Sequence, residues 1–137
     1  MAEPAPGFES VLETVLYYEP PGRSRMERFY SGVLGLREVS RFDDGTAYRV
    51  GADILLLFDN ERLGQRSEPH SRHGARGAGH VCLVAARGRY EEWKERLAAE
   101  GVTIDHEAAW PGGVRSAYFR DPAGNLLEIA ERDLWPE

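Results

Sequence analysis

A chain of 137 residues, 42% hydrophobic and 29% charged, can build one compact domain or two tightly joined small modules. Its 23 acidic side chains outnumber the 17 basic ones, and the net charge of −6 repels phosphate backbones, which argues against nucleic acid as a partner. No apolar run approaches the ~20 residues of a membrane span, Met1-Ala2-Glu3-Pro4 lacks a signal-peptide pattern, and the lone Cys82 has no disulfide partner, so a cytoplasmic protein without a membrane partner is expected.

Residues 1–9 are rich in Pro and Gly and are expected to fray. Val11 to Tyr18, dense in β-branched and aromatic residues, reads as a strand ended by Pro20-Pro21-Gly22. Ser24 is positioned to cap a helix carrying Met26, Phe29, Tyr30, Val33 and Leu34 at helical spacing, with Gly35 as its stop. Strands are expected at Leu36 to Arg41, Thr46 to Val50 and Ile54 to Phe58, with turns at Asp43-Asp44-Gly45 and Gly51-Ala52-Asp53. Asn60 to Gly79 is polar and aperiodic and reads as a linker or loop. After it come a strand at His80 to Ala86, a helix at Tyr90 to Glu100 with Trp93 and Leu97 on one face, and strands at Val102 to His106, Val114 to Arg120 and Leu126 to Ala130. Asp121-Pro122-Ala123-Gly124-Asn125 supplies the last turn.

Strand–helix–strand–strand–strand thus occurs twice, in modules at about 10–60 and 80–131 joined by the linker at about 60–79. Matched by eye, Thr46-Ala47-Tyr48 lies over Ser116-Ala117-Tyr118, Ile54 to Leu57 over Leu126 to Ile129, and Glu13 over His80. Two such units can pack as a pseudo-two-fold pair around a cleft, giving an α+β fold; a single mixed sandwich with coincidentally similar halves is the alternative.

Glu128 shares its strand face with Leu126 and Ala130, and a buried unpaired carboxylate normally finds a metal, a cation or hydrogen bonds. Glu13 repeats the pattern in Val11 to Leu16, and His80 opens an apolar strand. One imidazole and two carboxylates suit Mn²⁺, Fe²⁺, Ni²⁺, Co²⁺ or Zn²⁺ and leave positions open for water or substrate. Taken singly, each has a plainer reading: a structural histidine, a Glu128 paired with Arg115, Arg120 or Arg132, and a Glu13 on an exposed edge. Trp110, Arg115, Ser116 and Tyr118 are candidates for substrate contact, Arg115 through its planar fork or else as a surface ion pair. His70 and His73 read as solvated loop residues, and Cys82 as a small core residue.

Arg28-Phe29-Tyr30-Ser31-Gly32-Val33-Leu34-Gly35-Leu36, Gly79-His80-Val81 and Tyr118 through Glu128 together resemble the vicinal-oxygen-chelate superfamily over about residues 11–131. This superfamily includes glyoxalase I, fosfomycin and bleomycin resistance proteins, methylmalonyl-CoA epimerase and extradiol dioxygenases. The resemblance implies two βαβββ modules whose curved mixed sheets surround a metal-containing cleft. It places His80 and Glu128 on the second module's ligand positions. Glu13 stands where many relatives carry histidine, which departs from the two-histidine, one-carboxylate set of the dioxygenases. Leu56 falls on a fourth ligand position that it cannot fill.

The activity this implies is that of a metal-dependent lyase or isomerase of glyoxalase type. Its small substrate would offer two adjacent oxygens to one divalent ion, and Glu13 or Glu128 would serve as base. An Fe-dependent extradiol-type dioxygenase and a non-enzymatic drug-binding protein of bleomycin-resistance type are the alternatives. A homodimer is expected, because folds of this family often close their clefts against a partner chain.

Overall fold

The structure, a computed structural model, describes residues 3–136; the fraying expected at Met1 and Ala2 lies outside the described residues. Residues 3–12 are exposed coil, and β1 (Glu13–Tyr18) begins only where Ile54 N–H reaches Leu12 O at 3.0 Å. The first module continues with α1 (Arg23–Glu27), β2 (Arg37–Phe42), β3 (Gly45–Val50) and β4 (Asp53–Asp59). The second contains β5 (His80–Val84), α3 (Tyr90–Ala99), β6 (His106–Ala109), β7 (Arg115–Arg120) and β8 (Leu126–Ala130). Each forms a four-stranded sheet, ordered β1-β4-β3-β2 and β5-β8-β7-β6, with the first and last strands parallel and the others antiparallel. These are two βαβββ modules, repeated strand for strand.

Both sheets turn one face toward a common core. Leu16, Tyr18, Tyr48, Leu55 and Leu57 of the first meet Ala117, Phe119, Leu127 and Ile129 of the second, with Met26, Phe29, Tyr30, Tyr90 and Leu97 filling the space between. Phe29 touches Phe119 across the modules at 6.3 Å between ring centroids. The alternating residues form the other, open faces.

Several local expectations are corrected. Ser24 lies inside the first turn of α1; Gly22 holds the cap position, and its carbonyl accepts from Met26 N–H. The helix continues as a π-helical stretch over Arg28–Val33, closed by Leu34 N–H bonding to Phe29 O. The linker holds a short helix, α2 (Asn60–Gly64), because the Asp59 carboxylate accepts from Glu61 and Arg62 N–H. β6 starts where the expected strand was to end, since Val102 and Ile104 point into the core as coil. The match of β3 with β7 is one residue out of register. Leu56 pairs with Ala47 but Glu128 pairs with Tyr118, so Ala47, not Tyr48, corresponds to Tyr118. The two β3–β4 turn residues and the five between β7 and β8 set these registers. No helix among the described residues is long and apolar enough to cross a membrane.

The Asp121–Asn125 turn joins the modules. Asp121 Oδ1 accepts from Ala123 and Asn125 N–H, and Oδ2 accepts from Tyr30 OH at 2.7 Å and Asn125 Nδ2. Asn125 also donates to Tyr17 O on β1 and accepts from Gly79 N–H at 2.9 Å, immediately before β5. A Cβ on Gly79 would lie 2.9 Å from Leu16 Cδ2 and 3.3 Å from Asn125 Oδ1, so a side chain here would have to displace the buried Leu16.

Candidate metal centre

Val81 and Leu83 of β5 face the core, so His80, Cys82 and Val84 face outward, beside Glu128 and Ala130 of β8 and Tyr118 and Ser116 of β7. His80 Nδ1 lies 2.9 Å from Leu126 O. A carbonyl only accepts, so Nδ1 carries the proton, and in the neutral ring Nε2 presents its lone pair. That Nε2 lies 3.4 Å from Glu128 Oε1.

Glu128 is 5% exposed, and its Oε2 is buried with no hydrogen-bond partner. The other buried carboxylates are satisfied. Asp121 has four donors, Asp59 caps α2, and Asp44 is held bidentately by Arg66 at 2.6 and 2.9 Å, which keeps its carboxyl below the usual range. A buried acceptor left unmet costs about 1–3 kcal/mol. Beside an imidazole lone pair, this orphan oxygen fits a cation that neither residue can replace for the other.

The Tyr118 ring stacks over His80 at 6.4 Å and faces His106 at 6.1 Å. Cys82 is not a core residue. It faces the cleft as Glu128's strand partner; partial burial, and then the Glu128 charge, push its thiol up to about 12, so it stays protonated at neutral pH. Trp110 rests over the fully buried Ser116 and donates Nε1–H to its Oγ at 2.9 Å.

Arg115 is turned the other way, toward α3. It lies over the Tyr90 ring at 4.7 Å and is paired with Glu131 at 3.0 Å and with Glu91. Its fork is occupied away from the cleft, so it is not available there as a substrate clamp. Glu13, the exposed first residue of β1, sits on the open face of the first sheet with Val15, Tyr17, Leu56 and Phe58. Among the described residues no three His, Cys, Asp or Glu side chains converge to hold an ion. The chain brings His80 and Glu128 together but does not bring Glu13 to them.

One neighbour of the site and one contact on the first sheet escaped the sequence reading. His106 was expected at the end of a strand and instead begins β6 beside Tyr118. His73 lies in the exposed loop as expected, but its Nδ1 lies 2.5 Å from Tyr17 OH and its ring meets Tyr17 and Phe58 edge-on. His70 pairs with Glu68 and is solvated as expected.

Residues 24–129 match the sequence model of the Glyoxalase/Bleomycin resistance protein/Dioxygenase superfamily. Virulence protein STM3117 of Salmonella typhimurium is 30% identical over 108 residues, which are 76% of this chain and 72% of that protein. The crystal structure of lactoylglutathione lyase from Agrobacterium tumefaciens superposes with a TM-score of 0.86 at 36% identity, covering 94% of this chain and 98% of that one. An integron cassette protein from Vibrio cholerae, VCH_CASS1, gives a TM-score of 0.72 at 25% identity, covering 93% and 98%.

Proposed function

Because this chain belongs to the Glyoxalase/Bleomycin resistance protein/Dioxygenase superfamily, we propose that it is a divalent-metal-dependent enzyme of glyoxalase type. It acts as a lyase or isomerase on a small substrate with two adjacent oxygens. The observation that carries this reading is the orphan Oε2 of buried Glu128 beside a His80 whose Nδ1 is fixed by Leu126 O. The likeness to a structure described as a lactoylglutathione lyase favours the same class.

His80 and Glu128 hold the ion, which is Mn, Fe, Ni, Co or Zn by the hardness of the donor set. The ion, when bound, polarises a carbonyl and stabilises oxyanion charge as it develops. The Leu126 carbonyl keeps the imidazole in one tautomer. Tyr118 and Trp110 form the substrate wall, with Ser116 fixing the indole. Glu13 is exposed and opens its strand, so its carboxylate is free to swing and move the proton next to the substrate's oxygens.

We further propose that a second copy of the chain supplies Glu13. Catalytic sites of this kind usually have three protein ligands, and one chain assembles two. Val84 is 57% exposed and Trp110 39% exposed on the same face as His80, while Val11 and Leu12 are bare beside Glu13. A two-fold dimer covering these surfaces would complete two equivalent sites.

The enzyme reading is tested by reconstituting the protein with each candidate ion and offering hemithioacetal, α-hydroxycarbonyl and epoxide substrates. Turnover of one class, lost in His80→Ala, is the expected result. A folded, metal-loaded protein that turns over none of them sinks the proposal. Ligand binding by calorimetry that persists in His80→Ala would then favour a sequestering protein.

A further inference from the structure

In β3, Tyr48 and Val50 point into the core, so Ala47 and Arg49 point to the open face that also carries Glu13. Arg49 pairs with Ile54 of β4, and Ile54 with Glu13 of β1. On its other side the strand partner of Arg49 is Arg37 of β2. One row thus crosses the sheet as Glu13, Ile54, Arg49, Arg37.

Like charges directly opposite on antiparallel strands destabilise the pair, with Cα atoms roughly 5 Å apart. Among the described residues neither arginine makes an ion pair; Arg49 spends one Nη1–H on Ala52 O at 3.3 Å. The repeat gives an internal comparison. By strand register the counterpart of Arg49 is Arg120, partner of Leu126 as Arg49 is of Ile54. Arg120 has Asp105 at 3.7 Å and donates to Gly124 O at 3.1 Å. The second module gives its arginine an acid; the first faces its arginine with another arginine.

We infer that the Arg49–Arg37 pair binds an oxyanion, a carboxylate or phosphate, at the end of a substrate arm reaching across the first sheet. Two guanidinium forks carried on facing strand positions suit such a group. Arg49 lies two strand spacings from Glu13, about 10 Å at Cα, so the anionic group lies about that far from the oxygens that face the ion. Ile54 between them, with Leu56 in the next row on the same face, gives the arm an apolar floor. The inference rests on the metal-centre reading only in joining this anion site to the reacting end of the substrate.

Two measurements on the full chain separate the claims. In chelator-treated protein with labelled arginine, glutarate at constant ionic strength is expected to shift the Arg37 and Arg49 Nε–H resonances saturably, with the Arg49 response lost in Arg37→Gln. A linear response matching that to chloride overturns the anion site whatever the metal does. In zinc-loaded protein, suberic monohydroxamate, long enough for that span, is expected to bind about tenfold tighter than its neutral methyl ester, an advantage lost in Arg49→Gln while the ester's affinity stays put. Equal affinities overturn the anionic arm and leave the metal reading standing. Failure of both hydroxamates, with the glutarate shift intact, refutes the metal reading and leaves the arginine site. Arg37→Gln should also melt no lower than wild type, because it relieves repulsion; clear destabilisation would mark a structural arginine and count against the pair.

Discussion

Glu128→Gln is expected to stabilise the metal-free protein while weakening its metal affinity at least about a hundredfold, since even residues behind the ligands contribute about 10–100-fold. Without an ion, Glu128 is a buried carboxylate with one oxygen unpartnered, its Oε1 only 3.4 Å from an imidazole that is itself solvent-accessible. Removing the charge should relieve about 1–3 kcal/mol, a rise of several degrees in the melting midpoint for a chain of this size. His80 in its neutral form loses no hydrogen bond, because its Nε2 and Oε1 are both acceptors. Glu128→Met, apolar and similar in shape, should give the same pair of signs. Melting curves with chelator and with each ion check both halves. A variant that is less stable without metal and unchanged in metal affinity would make Glu128 a structural residue.

Asn125→Ala should cost about 3–4 kcal/mol, the largest loss expected from one polar side chain here. The side chain donates to Asp121 and Tyr17 O and accepts from Gly79 N–H. Truncation leaves a buried carboxylate with one donor fewer, a strand carbonyl bare and the entry to β5 untethered. Because Gly79 immediately precedes His80, metal affinity should also fall, by about tenfold, as for other groups that orient a ligand. Urea unfolding and a metal titration measure the two effects. A loss below 1 kcal/mol with unchanged metal affinity would contradict the role assigned to this turn.

Much of this was legible in the sequence. Strand alternation put Glu128 on an apolar face, and the repeat put Glu13 over His80; the registers Glu13 with Ile54 and His80 with Leu126 agree with that match. What one-dimensional pattern could not supply was parity across turns. The loop between β7 and β8 shifts that hairpin by one residue relative to its counterpart, which puts Tyr118 in the cleft and turns Arg115 toward α3. His106-Glu107-Ala108-Ala109 has little intrinsic strand preference and is a strand because β7 pairs with it, whereas the β-branched Val102 and Ile104 are coil anchored in the core. The Asp59 cap hid behind a strand ending. The Tyr17–His73 contact spans 56 residues and left no local sign.

The claim that His80 and Glu128 of one copy and Glu13 of another hold one ion is tested most directly by counting metal in mixed dimers. Untagged wild type, His80→Ala and Glu13→Ala are reconstituted with the same ion, and the two variants are also mixed in equal amounts, exchanged and desalted. The account predicts about one ion per chain in wild type, almost none in either variant, and about a quarter per chain in the mixture, because half the dimers are mixed and each has one intact site of two. Metal retained in His80→Ala, or a mixture as empty as its components after demonstrated exchange, would contradict it.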